Sequence, residues 1–182
     1  LSLSPGGWVA STHVDFLRDV AQMWRISDDL WDRWEDIYQQ FPRLARWAPM
    51  QRTGHWADAD MLPLGHIGLR AERGDDRQSK LTCDEQKTLL TLWSMGRSPL
   101  MVGGDLPTSN ADTIALLANP ALREVTAGSS GNREIVRERL FAEWNVEESF
   151  IGELIVWTAK ASDWADGTTS AHAHGHYGAI FW

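Results

Sequence analysis

The chain has 182 residues, 43% of them hydrophobic and 23% charged, with a formal net charge of −8. That balance suits a folded protein of one domain or one and a fraction and argues against a disordered chain. No apolar run approaches the roughly 18–20 residues of a membrane-spanning helix, and scattered charges on an acidic chain argue against a nucleic-acid partner, which needs clustered Lys and Arg.

The order of elements starts with "LSLSPGG", a strand end running into a Gly/Pro turn. Ser11–Gln22 follows as a helix, with Ser11 or Thr12 as N-cap and Val14, Leu17, Val20 and Ala21 at helical spacing. "MWRIS" (Met23–Ser27) is a short strand. Leu30–Phe41 is expected as the next helix, with Leu30, Trp34, Ile37 and Phe41 on one face and Pro42 ending it. "GHWADADML" reads as a strand with a loop. Thr82 to Glu85 forms a capping box for a helix running to Met95, closed by Gly96. "PLMVGGDL" is another strand, and Ser109 is expected to cap the helix "NADTIALLA".

Strand–helix units in this order indicate parallel α/β architecture, with about four units visible. No Gly-x-Gly-x-x-Gly follows a strand, so a dinucleotide fold has no support. Residues 126–132 are expected as a linker. From residue 133 the chain reads as strands, "RLFAEW", "ELIVWTA" and "HYGAIFW", bounded by turn residues. The expected division is therefore 1–125, a linker at 126–132, and an antiparallel β domain at 133–182.

One cysteine, Cys83, precludes an intrachain disulfide and a Cys-based zinc site, and suits a helix start or a core position. Eleven tryptophans against two tyrosines is an unusual balance. Trp offers a flat apolar face and one N–H donor, which suits sugar rings as well as cores. Trp144 and Trp164 fit core packing or loop anchoring better than a sugar site. His172, His174 and His176 would share one strand face, but their Gly/Ser/Thr-rich surroundings read as a hairpin loop, so neither a metal nor a cofactor is expected.

Chemistry in a barrel of alternating strands and helices sits where strands end and the following loops begin. Three acid clusters fall there: Asp28 and Asp29 after "MWRI", Asp58 and Asp60 after "GHW", and Asp105 after "LMVGG". Capping would account for one of Asp28 and Asp29, a solvated turn for Asp58 and Asp60, and a turn or cap for Asp105. Two adjacent acids with Arg25 just upstream exceed what capping needs. A glycosidase needs one carboxylic acid to protonate the leaving oxygen and a second carboxylate as nucleophile or base. A nearby Arg would orient a sugar hydroxyl and hold down a neighbouring carboxylate's pKa.

"WRISDDLWDRW", "GHWADADMLPLGHIGL" and "LWSMGRSPLMVGGDL", in that order, resemble the second half of the catalytic barrel of glycoside hydrolase family 27. These are the clan D enzymes of α-galactosidase and α-N-acetylgalactosaminidase type. "ALLANPALREV" resembles the family's last barrel helices, and "ELIVWTA" with "HYGAIFW" the start of its C-terminal β-sandwich. The resemblance implies a partial TIM (β/α)8 barrel followed by an incomplete antiparallel β-sandwich. It implies a retaining exo-α-glycosidase acting on an oligosaccharide or glycoside with terminal galactose-like residues.

In the family pattern Trp-Arg-x-x-x-Asp-x-x-Asp-x-Trp, Trp24 and Arg25 open the match, Asp29 takes the acid/base place, and Asp32 and Trp34 complete it. The resemblance puts Arg25 at the sugar's 2-substituent and Asp28 as cap or bystander. Asp60 falls beside the sugar with Trp56 and Met61, and Asp58 supports them from behind. Ala57 and Ala59 replace the family's Asn and Pro. Ser4 stands where many members carry a Glu that reads the 2-position, which makes another sugar an alternative, such as isomaltose or β-L-arabinopyranose. A non-catalytic carbohydrate-binding barrel is the other alternative. The family's nucleophile, the Asp of a Lys-x-Asp segment, belongs upstream of "LSLS". The chain is therefore expected to be the C-terminal portion of a larger enzyme and inactive alone, and its localisation is not readable.

Overall fold

The computed structural model describes residues 1–70, 74–144, 147–161 and 175–182, with side chains throughout these ranges except at 142–149. Three short strands, β1 (Ser2–Leu3), β2 (Met23–Arg25) and β3 (Trp56–Asp58), form a parallel sheet in that order. Its register pairs Leu3 with Trp24, and Trp24 with Ala57. Two further strands, β4 (His66–Ile67) and β5 (Arg77–Gln78), make an antiparallel ribbon in the long excursion after β3.

Helices fill the connections. A 3-10 turn at Ser11–His13 leads into α1 (Val14–Val20), so the helix expected over Ser11–Gln22 is shorter and neither Ser11 nor Thr12 caps it. The helix expected over Leu30–Phe41 is two helices, α2 (Trp34–Tyr38) and α3 (Gln40–Trp47), which break at Gln39. Pro42 does not terminate a helix. It lies in the first turn of α3, where its missing N–H has no intrahelical partner to lose. Residues 30–33 stay out of the expected helix: Leu30 N bonds to the Asp60 carboxylate, Trp31 N to the Asp36 carboxylate and Arg33 N to Trp31 O.

The capping box is present. Thr82 Oγ1 accepts from Glu85 N, and Glu85 Oε2 accepts from Thr82 N at 2.7 Å, opening α4 (Cys83–Gly96). Cys83 is exposed at its start. Gly96 is the last helical residue, and a Cβ there would meet Leu44 Cδ2 at 3.0 Å; Arg97, in the left-handed region at φ 53°, ends the helix.

"PLMVGGDL" is not a regular strand. It contributes one parallel bridge, Leu62 to Val102, and a Cβ on Gly104 would lie 2.0 Å from the Leu64 carbonyl oxygen. Ser109 is not a helix cap; its Oγ donates to Asp105 O and accepts from His66 N, and Asn110 caps α5 (Ala111–Leu117). Residues 126–132 belong to two elements, with α6 (Pro120–Gly128) running straight into β6 (Ser129–Trp144). β6, β7 (Glu147–Ala161) and β8 (His176–Phe181) form an antiparallel sheet in that order.

The architecture is thus part of a (β/α)8 barrel followed by an antiparallel sheet. One apolar cluster spans both. Trp24, Leu44, Trp47, Leu89, Leu92 and Trp93 from the barrel side join Ile155, Trp157 and Ala179 from the sheet, all buried. Phe41 meets Phe181 edge-on at 4.9 Å, and the Asn132 amide donates to Met95 O at 2.9 Å. His172, His174 and Trp164 lie outside the described residues, as does the Trp144 side chain; His176 is exposed at the start of β8. Among the described residues no helix is long and apolar enough to cross a membrane.

Two substitutions test the packing. Thr82→Ala should cost about 1 kcal/mol through loss of the cap, and Phe41→Ala about 3–5 kcal/mol through loss of the barrel–sheet contact. Urea unfolding midpoints at unchanged slope are the measurement.

Candidate active site

Parallel strands β2 and β3 end side by side, with Arg25 paired to Asp58, so the residues just beyond them share the same mouth. Ser27 Oγ donates across to Ala59 O at 3.2 Å, and Ile26 N donates to Asp58 O at 2.9 Å. Ser98, fully buried, accepts from Ala59 N at 2.9 Å and ties the mouth to the second residue beyond α4.

Asp60 stands at the centre of this arrangement. Its Oδ2 accepts from Arg25 Nη2 at 2.7 Å and from Leu30 N at 2.7 Å. Its Oδ1 accepts from its neighbour Met61 N, and its backbone carbonyl accepts from Trp93 Nε1 at 3.0 Å. Its backbone sits at φ 92°, a region that non-glycine residues enter at the expense of strain. Asp58 Oδ1 accepts from Asp60 N at 2.9 Å, which fixes that conformation.

Asp58 is deeply buried, and its carboxyl is pushed above the usual range. Burial is the main cause, and the Asp60 charge adds to it; the Asp60 N–H and the Arg25 charge offset only part.

Arg25 therefore serves two acids. It holds Asp60 at 2.7 Å and lies 3.7 Å from Asp29 Oδ1, while also donating to Ser27 O at 3.1 Å. The two acids differ in access: the Asp60 side chain is 7% exposed and the Asp29 side chain 64%. Asp29 is the carboxylate that a ligand can reach. Arg25 Nε is buried without a hydrogen-bond partner among the described residues.

A cleft of about 500 Å³ lies over this point, lined by Ser4, Pro5, Gly6, Arg25, Ser27, Asp28 and Asp29. The structure thus brings Ser4, Arg25, Asp28 and Asp29 together. Asp28 is not a helix cap: its Oδ1 accepts from Gly7 N at 3.3 Å, and a Cβ on Gly6 would come within 3.0 Å of the same oxygen. Gly6, at φ 72°, is thus needed both for the turn and for the room.

Three residues expected at the sugar do not line this cleft. Asp60 faces inward, with both oxygens engaged by the protein. Met61 is exposed away from the cleft lining. Trp56 begins β3 at its other end, and its ring is covered by the Arg97 guanidinium, 4.5 Å from the centroid. Burial in that stack lowers the Arg97 pKa. Among the described residues no group of three or more His, Cys, Asp or Glu side chains is placed to hold a metal.

Two features have no counterpart in the sequence motifs. Asp32, buried, takes both prongs of Arg77, and His66 bonds Thr108 and Asp76 in the excursion after β3. Neither Arg77 nor Asp76 carries a local pattern that would reveal its partner. The "DRW" spacing offers the one hint, for Asp32.

Residues 8–127 match the family model described as Alpha galactosidase A, and the chain belongs to that family, glycoside hydrolase family 27. Among solved structures it resembles a family 27 β-L-arabinopyranosidase from Geobacillus stearothermophilus, at 41% identity and a TM-score of 0.77, over 88% of this chain and 34% of that one. A second structure of that enzyme, in complex with arabinose, matches at the same identity and score. A putative α-N-acetylgalactosaminidase from Bacillus halodurans is 38% identical, with a TM-score of 0.62, over 76% of this chain and 29% of that one. Alpha-galactosidase 2 of Arabidopsis thaliana is 26% identical over 91% of this chain and 38% of its own length. The chain spans about a third of the length of these relatives.

The buried acids titrate with opposite consequences. Asp58 has a raised native pKa, so its contribution favours folding below its ordinary value of 3.8 and is lost as pH rises through the native value. Asp58→Asn should gain on wild type as pH is raised from below 3.8 to neutrality. For Asp32, burial raises the pKa, but the Arg77 and Lys80 hydrogen bonds and the Arg77 charge outweigh it, and the net shift is downward from 3.8. Its contribution is present above 3.8 and lost as pH falls through the lowered native value, so the deficit of Asp32→Asn should be widest at neutral pH and shrink in acid. Urea unfolding across that pH range checks both signs.

Proposed function

We propose that these residues form the acid/base side of a retaining exo-α-glycosidase of α-galactosidase type, which removes terminal α-linked galactose-like residues by double displacement. The observation that carries this reading is Asp29: an accessible carboxylate in a polar cleft, beside an arginine whose charge is already engaged by a buried acid. A general acid must reach the leaving oxygen, and Asp29 meets that need where Asp60 cannot. In the first step Asp29 donates its proton to the glycosidic oxygen. In the second it takes a proton from the water that releases the sugar. Arg25 orients the hydroxyl at the 2-position, with Ser4 and Asp28 on the same wall.

The nucleophile, in this reading, comes from outside these residues. A retaining pair sits about 5–5.5 Å apart across the sugar, and the cleft opens along β1, whose outer edge has no strand beside it among the described residues. A closed barrel has eight strands, and the neighbouring strand would bring the second carboxylate to that side. These 182 residues alone should therefore not hydrolyse a glycoside.

A second reading of the sugar has its own support. The 41% identical neighbour is a β-L-arabinopyranosidase, and β-L-arabinopyranose carries the ring hydroxyls of α-D-galactose without the C6 hydroxymethyl group. A panel of nitrophenyl glycosides separates the two, since an arabinopyranosidase prefers the sugar lacking C6.

For the mechanism, Asp29→Asn in the full-length enzyme should slow glycosides with poor leaving groups by roughly 10²–10⁴-fold and activated aryl glycosides far less. Equal loss on both would remove Asp29 from the acid role. Product NMR should show the released sugar first in its starting anomeric configuration.

A further inference from the structure

The position of the Asp29 carboxyl is inherited from its backbone. Its ion pair with Arg25 spans 3.7 Å, and among the described residues the carboxylate accepts no hydrogen bond that would set its height in the cleft. The backbone beyond it is fixed residue by residue. Leu30 N donates to Asp60 Oδ2 at 2.7 Å and Trp31 N to Asp36 Oδ2 at 3.0 Å. The next residue, Asp32, is held through its side chain.

That hold comes from a distant part of the chain. Arg77 Nε donates to Asp32 Oδ2 at 3.0 Å and Arg77 Nη2 to Oδ1 at 2.6 Å, the planar two-pronged geometry that only arginine supplies. Lys80 N adds a third bond at 2.9 Å. The surrounding loop is shaped around the guanidinium. Arg77 Nη1 donates to Asp75 O at 2.9 Å, and Cβ atoms on Gly74 and Gly68 would fall 2.9 and 3.1 Å from that nitrogen. Both glycines sit at positive φ, 106° and 78°.

We propose that Arg77 is a positioning residue for the acid/base: by gripping Asp32 it clamps the loop after β2 to the β4–β5 excursion and so fixes where Asp29 presents its carboxyl. Helix capping does not require this grip. Asp36 already takes the Trp31 amide and pairs with Arg33 at the start of α2, whereas Arg77 acts on the segment between Asp29 and that helix. The inference rests on Asp29 being the acid/base. Proton transfer needs hydrogen-bond reach, and a displacement near 1 Å costs on the order of 10²-fold in rate.

The test uses the full-length enzyme and two substrates of the sugar it hydrolyses, a nitrophenyl glycoside and a methyl glycoside, with Asp29→Asn run alongside. Arg77→Met should lower kcat on the methyl glycoside by roughly 10- to 100-fold, lower it only a few-fold on the nitrophenyl glycoside, and leave both KM values nearly unchanged. Arg77→Lys, which keeps the charge and loses the second prong, should fall between Arg77→Met and wild type. A merely structural role would lower Tm and reduce both kcat values by one common factor; that result, or a change confined to KM, overturns the proposal. If Arg77→Met does not fold, the same comparison is read from Arg77→Lys, and equal loss there overturns it too. If Asp29→Asn separates the two substrates and the Arg77 variants do not, only this proposal falls. If Asp29→Asn does not separate them, the acid/base reading falls and this inference with it.

Discussion

The Asp60 carboxylate, bonded to Arg25 and to the Leu30 amide, is the interaction on which the rest of the site depends. It joins the end of β2 to the end of β3 and reaches the loop that carries Asp29. The left-handed backbone at Asp60 costs on the order of 1–3 kcal/mol. That strain is offset by bonds at every polar atom of the residue: its N–H to Asp58, its carbonyl from Trp93, its side chain to Arg25 and Leu30. Because Trp93 belongs to the buried face of α4, the site is anchored directly to the core.

This anchoring divides labour among acids that look alike in the sequence. Asp58, Asp60 and Asp32 are buried and hydrogen-bonded within the protein, whereas Asp28 and Asp29 reach the cleft. Placing Arg25 between a held acid and a free one neutralises the buried charge of Asp60, which would otherwise carry a large desolvation penalty. The Asp29 carboxyl is left in the solvent-facing cleft. A wall made by Ser4, Gly6 and Asp28 then gives the cleft its polar character.

Much of this was legible in the residues. The capping box at Thr82–Glu85 is a local pattern with a local cause, and both of its hydrogen bonds are present. The strand at Met23, the clustering of acids at strand ends, and the antiparallel region near the C-terminus follow from periodicity and position. The departures come from a displaced helix start, from strand direction and from contacts distant in the chain. Pro42 is expected to end a helix, yet it occupies a first turn, because α3 starts at Gln40. Residues 30–33 fall inside the expected helix, yet the Leu30 and Trp31 amides go to the carboxylates of Asp60 and Asp36, and no local propensity contains the first of these partners. The family resemblance puts Trp56 at the sugar beside Asp60. Strand direction puts it at the opposite end, under Arg97. Arg77 lies 45 positions from Asp32, and nothing in its own neighbourhood marks it as a partner.

Arg25 and Asp60 should act as one unit. A double-mutant cycle with Arg25→Met and Asp60→Asn, read by urea unfolding of the full chain, measures this directly. A coupling of about 1–3 kcal/mol is predicted for a largely buried, hydrogen-bonded pair. Additivity within about 0.5 kcal/mol would contradict it, since the two side chains would then hold their places independently.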